Sequence, residues 1–124
     1  MDKNIVIITA SIFGMLAVIF GAFGAHLLKK ILNQDQLTSF ETGVRYQMFH
    51  ALVLLVLGYN ATILSTKIYW LFTLGIILFS FSIYGLVISA AKQKKLRFLG
   101  PITPIGGLLL IIGWLLLLLE AMPF

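Results

Sequence analysis

Four long apolar stretches limit what this chain can fold into. They run from Ile5 to Leu28, from Tyr46 to Leu64, from Ile68 to Ala91 and from Leu99 to Leu119. An α-helix of about 20 apolar residues is long enough to cross a hydrocarbon core of about 30 Å, and each stretch is close to that length. We therefore predict an all-α protein: a single four-helix transmembrane bundle, integral to the membrane, covering residues 1–124.

The composition excludes a soluble domain. Hydrophobic residues make up 60% of the chain and charged residues only 10%, with a mean hydropathy of +1.07. Soluble domains carry about 25% charged residues, so this chain has too little polar surface to cover itself. It also has no cysteine, which excludes disulfides, thiol nucleophiles and thiolate metal sites. Any function must therefore lie in the bundle or in its short loops.

The basic residues are divided unevenly between the two ends of the predicted bundle. One end carries seven of the nine, in the connections between helices one and two and between helices three and four: Lys29, Lys30, Arg45, Lys92, Lys94, Lys95 and Arg97. The other end carries only Lys3 and Lys67. Short basic loops stay on the cytoplasmic side. We predict a multi-pass protein of the cytoplasmic membrane, with loops 29–45 and 92–98 cytoplasmic and both termini outside.

The run Lys92, Lys94, Lys95 and Arg97 indicates a lipid-facing basic loop. Clusters of this kind beside a membrane helix attract anionic headgroups. We therefore expect membrane lipids, including anionic headgroups, as partners. Nucleic acid is not expected, because topology already accounts for most of the net charge of +5.

Small residues recur at helical spacing, which favours close helix packing. In helix one, small residues three and four positions apart fall on one face: Gly14, Ala17, Gly21 and Ala25. In helix four, Gly106 and Gly113 lie seven positions apart. Small side chains let helix backbones approach closely in lipid. We predict that these positions pack against protein, in a homo-oligomer or with other membrane proteins. A transporter or channel subunit is a weaker alternative, because no helix carries a continuous polar stripe.

Two helix starts are predicted from capping patterns. Thr38 followed by Glu41 fits a capping box, which predicts a second helix over 38–64. Glu41 and Arg45 then have the spacing of a helical ion pair. At the fourth helix, predicted over 99–119, Thr103 is a candidate cap for a helix that begins at Pro104.

Five polar residues near the cytoplasmic ends of helices one and two form a candidate polar cluster: His26, Glu41, Arg45, Gln47 and His50. Ionisable groups in a membrane helix are costly unless they have a partner or a task. One interpretation is structural, with these groups bonded to one another across the helices. The other is a cofactor or small-molecule site for haem, quinone or a metal, since paired imidazoles from neighbouring helices bind haem. We favour the structural interpretation, and predict no cofactor and no catalytic or metal-binding residue.

Three motifs carry a resemblance to a known family. They are GAFGAH from Gly21 to His26, FETGVRYQMFHAL from Phe40 to Leu52, and TPIGG from Thr103 to Gly107 with Gly113-Trp114 beyond it. The chain resembles the YwdK/YgdD-like family of small bacterial membrane proteins, and within it the staphylococcal members most. The resemblance implies four membrane helices, no established enzymatic reaction and a role in membrane integrity. It implies no catalytic residues.

Overall fold

The computed structural model describes residues 1–60 and 62–123, and every regular element in that range is helical. Its four long helices are α1 (Lys3–Leu28), α2 (Gln34–Gly58), α3 (Thr66–Ala91) and α4 (Ile102–Ala121), with a 3₁₀ turn at Arg97–Leu99 before α4. The all-α prediction is confirmed. Helices α1, α3 and α4 are long and apolar enough to cross a membrane. The more polar α2 is not among these candidates, so a fourth span stays a prediction.

Two of the helices contain a wider turn. In α1 the residues Phe20–Gly24 form a π-helical turn, and in α3 the residues Ile77–Phe81 form another. A π turn adds a residue to the helical repeat. Side chains after a π turn therefore point in a different direction around the helix axis than a regular α-helix would give. A stripe of small residues that is predicted from regular helical spacing does not stay on one face across the turn.

The second helix does not have the predicted limits. It begins at Gln34, where the Asn33 side chain accepts from the N–H of Gln36 (2.8 Å) and the Gln36 side chain accepts from the N–H of Asn33 (3.0 Å). The predicted capping box at Thr38 and Glu41 is wrong, because both lie inside the helix. The helix ends at Gly58 rather than at residue 64, and Ser65 then caps α3 by accepting from the N–H of Ile68.

The start of the fourth helix also differs from the prediction. Helix α4 begins at Ile102, directly after Pro101, and Thr103 does not cap it. The Thr103 hydroxyl instead bonds to the hydroxyl of Ser82 on α3. Pro104 falls in the first helical turn, where its missing N–H leaves no hydrogen bond unmade.

Close contacts show that neighbouring helices alternate in direction. The C-terminal end of α2 meets the N-terminal end of α1, where a methyl group added to Gly58 would lie 2.7 Å from the Ile7 side chain. The start of α4 meets the second half of α3, where the hydroxyls of Thr103 and Ser82 are hydrogen-bonded, and Gly113, further along α4, meets Phe72 in the first half of α3. At the N-terminal end of both α1 and α3, the hydroxyls of Thr9 and Tyr69 are 2.8 Å apart. The helices thus run up, down, up and down.

The interior has two apolar clusters, one towards each end. The larger one lies towards the chain termini and includes Val6, Leu54, Phe72 and Ile76. The smaller lies towards the end that carries the 29–33 and 92–101 connections, which we call the basic end, and consists of Leu32, Phe40, Tyr84 and Val87. Large apolar side chains also cover the outside of the helices, as is expected where lipid rather than water surrounds a bundle.

Candidate functional site

Gln47 lies at the centre of a buried polar layer between the two apolar clusters. Its side chain has an exposed fraction of 0%. The amide nitrogen donates to the backbone carbonyl of Phe13 on α1 (2.8 Å), and the amide oxygen accepts from the hydroxyl of Tyr84 on α3 (2.7 Å). Both ends of the amide are therefore hydrogen-bonded, and one side chain connects three helices.

A second bond lies in the same layer. Ser80, within the π turn of α3, is fully buried and donates to the backbone carbonyl of Gly43 on α2 (2.6 Å). Gly43 allows this approach, because a methyl group there would lie 2.8 Å from the Tyr84 ring. The π turn thus places a hydroxyl against the backbone of α2, where a bulkier residue at position 43 would not fit.

His50 uses both ring nitrogens within the protein. Its Nδ1 is 2.7 Å from the carbonyl of Tyr46, one turn earlier in α2, and its Nε2 is 3.0 Å from the indole nitrogen of Trp114 on α4. An indole N–H can only donate and a carbonyl can only accept. His50 is therefore neutral, with its proton on Nδ1, and joins α4 to α2. No lone pair remains on the ring for a metal in this arrangement.

The other members of the predicted cluster lie outside this layer. His26, Glu41 and Arg45 are all exposed, and Glu41 and Arg45 line a groove of about 330 Å³ between α1 and α2. Gln47 and His50 bond to other residues and not to each other. The structure thus separates the predicted cluster into a buried pair on α2, Gln47 and His50, and three exposed residues, of which His26 is on α1 and Glu41 and Arg45 are on α2.

The polar side chains of the described residues are not grouped as a metal site requires. Among residues 1–60 and 62–123, the structure brings together no group of three or more His, Asp or Glu side chains suited to a metal ion. The layer around Gln47 is held by neutral donors and acceptors that satisfy one another. Such a network fixes the register of the helices and makes the packing more specific.

The small residues differ in what they contact. A methyl group added to Gly106 would overlap the backbone nitrogen of Phe79 and lie 2.6 Å from the carbonyl carbon of Leu78, and one added to Gly113 would lie 2.9 Å from the Phe72 ring. On α1, Ala17 is buried and Ala25 half-buried.

Two glycines of the α1 stripe are more open. A methyl group added to Gly21 would meet Val44 at 3.3 Å, and one added to Gly14 would meet nothing within 4 Å. Gly106 therefore marks a close backbone approach between α3 and α4, whereas Gly14 borders open space.

Three partners in the polar layer were not predicted from the sequence: Ser80, Tyr84 and Trp114. A serine in a membrane helix commonly reflects packing alone. Tyr84 and Trp114 lie far along the chain from Gln47 and His50. The GW pair of the third motif was the one signal that pointed to Trp114.

The apolar exterior and the three helices that are long and apolar enough to cross a membrane are those of a small helical membrane protein. The chain belongs to the DUF423 family, whose model is described as a protein of unknown function and matches residues 20–107. Membership confirms the family that the three motifs indicated.

Relatives match over nearly their whole length. The UPF0382 membrane protein of Staphylococcus epidermidis is 41% identical, covering 98% of both chains. The UPF0382 membrane protein YwdK of Bacillus subtilis is 39% identical, also covering 98% of both. A Staphylococcus aureus relative is 40% identical, covering 95% of both. No solved structure matches the chain.

Proposed function

We propose that this chain is a non-enzymatic protein of the cytoplasmic membrane that supports membrane integrity through helix packing, self-association and contacts with lipid or protein. All four helices span the membrane in this proposal, with both termini outside and the basic end in the cytoplasm. Six of the nine basic residues lie in the two connections of the basic end, and this asymmetry supports that orientation. Arg45, predicted to lie in the first connection, is instead inside α2.

The observation that carries the proposal is the closed polar layer. The Gln47 amide bonds to α1 through its nitrogen and to α3 through its oxygen. The His50 ring bonds to the carbonyl of Tyr46 on its own helix and to Trp114 on α4. A catalytic or ligand-binding group needs at least one atom that faces its substrate. In the described part of the chain, the buried side chains of Gln47, His50, Ser80 and Ser82 all bond to other groups of the bundle, as they do in a scaffold, and Thr73 has the one buried hydroxyl without a partner.

The surface of α1 around Gly14 supports self-association. The face around Gly14 borders open space beside the buried residues Ala10 and Ala17. A second helix can approach closely at a glycine in a membrane.

The proposal is tested by separating folding from function in a deletion strain of the host. Membrane integrity is followed by dye uptake after mild detergent challenge, and the melting temperature of each purified variant is measured in parallel. We expect His50→Leu to lose stability and complementation together. We expect His26→Leu, at an exposed histidine, to keep both. A His50 or Gln47 variant that is as stable as wild type but inactive would overturn the proposal in favour of a ligand or catalytic site.

The cofactor alternative has its own measurement. Protein purified from the native host is examined by absorption spectroscopy and extracted for quinones. A Soret band or a stoichiometric quinone would overturn the scaffold proposal. A spectrum that shows only tyrosine and tryptophan supports it.

A further inference from the structure

A cavity of about 730 Å³ opens at the basic end, between the first turns of α2, the second half of α3 and the connection to α4. Its volume is in the range of small-molecule sites, which is about 300–1,000 Å³. The cavity is separate from the layer around Gln47 and from the groove that Glu41 and Arg45 line.

The wall of this cavity is divided by chemistry. Helix α3 supplies an apolar side formed by Ile83, Leu86, Val87 and Ala90. The connection before α4 supplies two cations, Lys95 and Arg97, and α2 supplies Asp35, Gln36 and Ser39. Such a division suits a molecule with a charged head and an apolar tail.

The loop that carries the cations is fixed to α3. Gln93 has a left-handed backbone (φ 60°), its N–H donates to the carbonyl of Ala90 (3.0 Å), and the N–H of Lys94 donates to the carbonyl of Ser89 (2.9 Å). These two bonds form a Schellman motif. The N–H of Leu96 then donates to the hydroxyl of Ser89 (3.1 Å). The loop backbone on both sides of Lys95 is therefore tied to the end of α3.

The charges at the cavity favour an anion. Lys95 and Arg97 outnumber the one carboxylate, Asp35, which lies in the first turn of α2, where the helix dipole stabilises it. The oxygen of the Gln36 side chain is used by the cap at Asn33, which leaves its amide N–H groups as donors. An arginine and a lysine together suit a phosphate group, which Arg can contact through two parallel hydrogen bonds.

We infer that this cavity binds one anionic phospholipid. Its phosphate lies at Lys95 and Arg97, its glycerol headgroup reaches the polar side chains of α2, and one acyl chain lies along the apolar side of α3. The inference rests on the membrane placement in the proposed function, and it gives that proposal a specific lipid ligand at a defined site.

Native mass spectrometry of the full chain tests the site, with phosphatidylglycerol titrated into the detergent and phosphatidylcholine as the zwitterionic comparison. We expect Lys95→Gln combined with Arg97→Gln to weaken binding by about 25-fold, since each cation near a lipid surface contributes about fivefold. The matched control is Lys29→Gln with Lys30→Gln, which removes the same charge at the same end. That control should bind as wild type does, and phosphatidylcholine should bind weakly to all three.

A second variant keeps every charge and fills the apolar side. Ala90→Phe should abolish phosphatidylglycerol binding without lowering the melting temperature. Retained binding in Ala90→Phe, or an equal loss in the Lys29/Lys30 control, would overturn the inference. Complementation of the deletion strain is scored separately. Lost binding with full complementation would support the site while separating it from the membrane-integrity role.

Discussion

The indole N–H of Trp114 donates to Nε2 of His50 across 3.0 Å, and this bond joins α4 to α2. The Trp114 ring also stands edge-on to His50, with 5.9 Å between ring centroids. Trp114 is 49% exposed, so its outer face meets lipid while its only polar atom points inward. The histidine thus satisfies a donor that hydrocarbon could not.

Removing one partner of this pair should cost more than removing both. His50→Leu leaves the Trp114 N–H unpaired in a medium without water, at a cost of about 1–3 kcal/mol. Trp114→Phe leaves Nε2 of His50 unpaired at a similar cost. We expect the double variant to lose less than the sum of the single losses, because neither atom is then left alone. Circular dichroism melting in detergent gives the three values, and strict additivity would show that the bond contributes nothing.

The Gln47 amide should be the most sensitive polar group in the bundle. Gln47→Leu removes the acceptor of the Tyr84 hydroxyl and should lower stability by about 1–3 kcal/mol. Adding Tyr84→Phe should recover part of that loss. Gln34→Leu, at an exposed position in the first turn of α2, is the matched control and should have little effect. Equal melting temperatures for the Gln34 and Gln47 variants would contradict the structure.

Glycine contacts predict a sharp contrast between two alanine substitutions. Gly106→Ala forces a methyl group into the backbone of Phe79, and overpacking of this kind costs about 1–3 kcal/mol. Within a single chain a methyl group at Gly14 meets nothing within 4 Å, so Gly14→Ala should leave the fold unchanged or stabilise it by up to about 1 kcal/mol, because alanine favours helix. The same change should weaken the proposed self-association, in which the glycine lets a second helix approach closely. Thermal melting of both variants checks the fold and size-exclusion chromatography checks the association; a larger melting loss for Gly14→Ala than for Gly106→Ala would contradict the open space at Gly14.

Gln93 offers a stabilising substitution. A left-handed backbone at a residue other than glycine costs about 1–2 kcal/mol, and glycine is the usual residue at this position of a Schellman motif. Gln93→Gly should therefore raise stability by about 1 kcal/mol. Lys94→Gly is the control, and should give no gain, since Gln93 is the one non-glycine residue with a positive φ in the described part of the chain. No increase for Gln93→Gly would contradict the backbone geometry.

The proposed orientation is checked by cysteine labelling, for which the cysteine-free chain gives no background. Cysteines at Gln34 and Gln93, both exposed at the basic end, should resist a membrane-impermeant thiol reagent in intact cells. One at Thr66, exposed at the other end, should react. The reverse pattern would place the basic end outside.

Much of the fold was predictable because its signals are local. Apolar stretches of membrane length gave four helices, and short connections made neighbours antiparallel. The start of α2 was missed because two candidate caps lie close together. Asn33 with Gln36 has the same pattern as Thr38 with Glu41, and propensity alone does not rank them. The structure uses the earlier cap, and the helix runs from Gln34 to Gly58 without a break.

The polar layer was less predictable because its bonds connect distant parts of the chain. Gln47 and Tyr84 are 37 residues apart, and His50 and Trp114 are 64 apart. Hydropathy treats both aromatic residues as lipid-facing. The small-residue face predicted for α1 is also interrupted. That prediction requires a regular α-helical spacing along the whole helix. The π turn at Phe20–Gly24 breaks that period, and Gly21 lies at the surface whereas Ala17 is buried.

The polarity of α2 has a consequence for how the protein is made. As the chain emerges from the ribosome, α1 can enter the bilayer alone, but the Gln47 amide oxygen has no protein partner until Tyr84 follows on α3. We expect α2 to insert stably into the lipid only after α3 has been synthesised. Until then, the translocon or an insertase would bind the first two helices. Ribosome-stalled chains truncated after residue 65 and followed by a linker long enough to fill the exit tunnel should therefore leave α2 open to solvent-borne reagents. Chains truncated after α3 with the same linker should protect it.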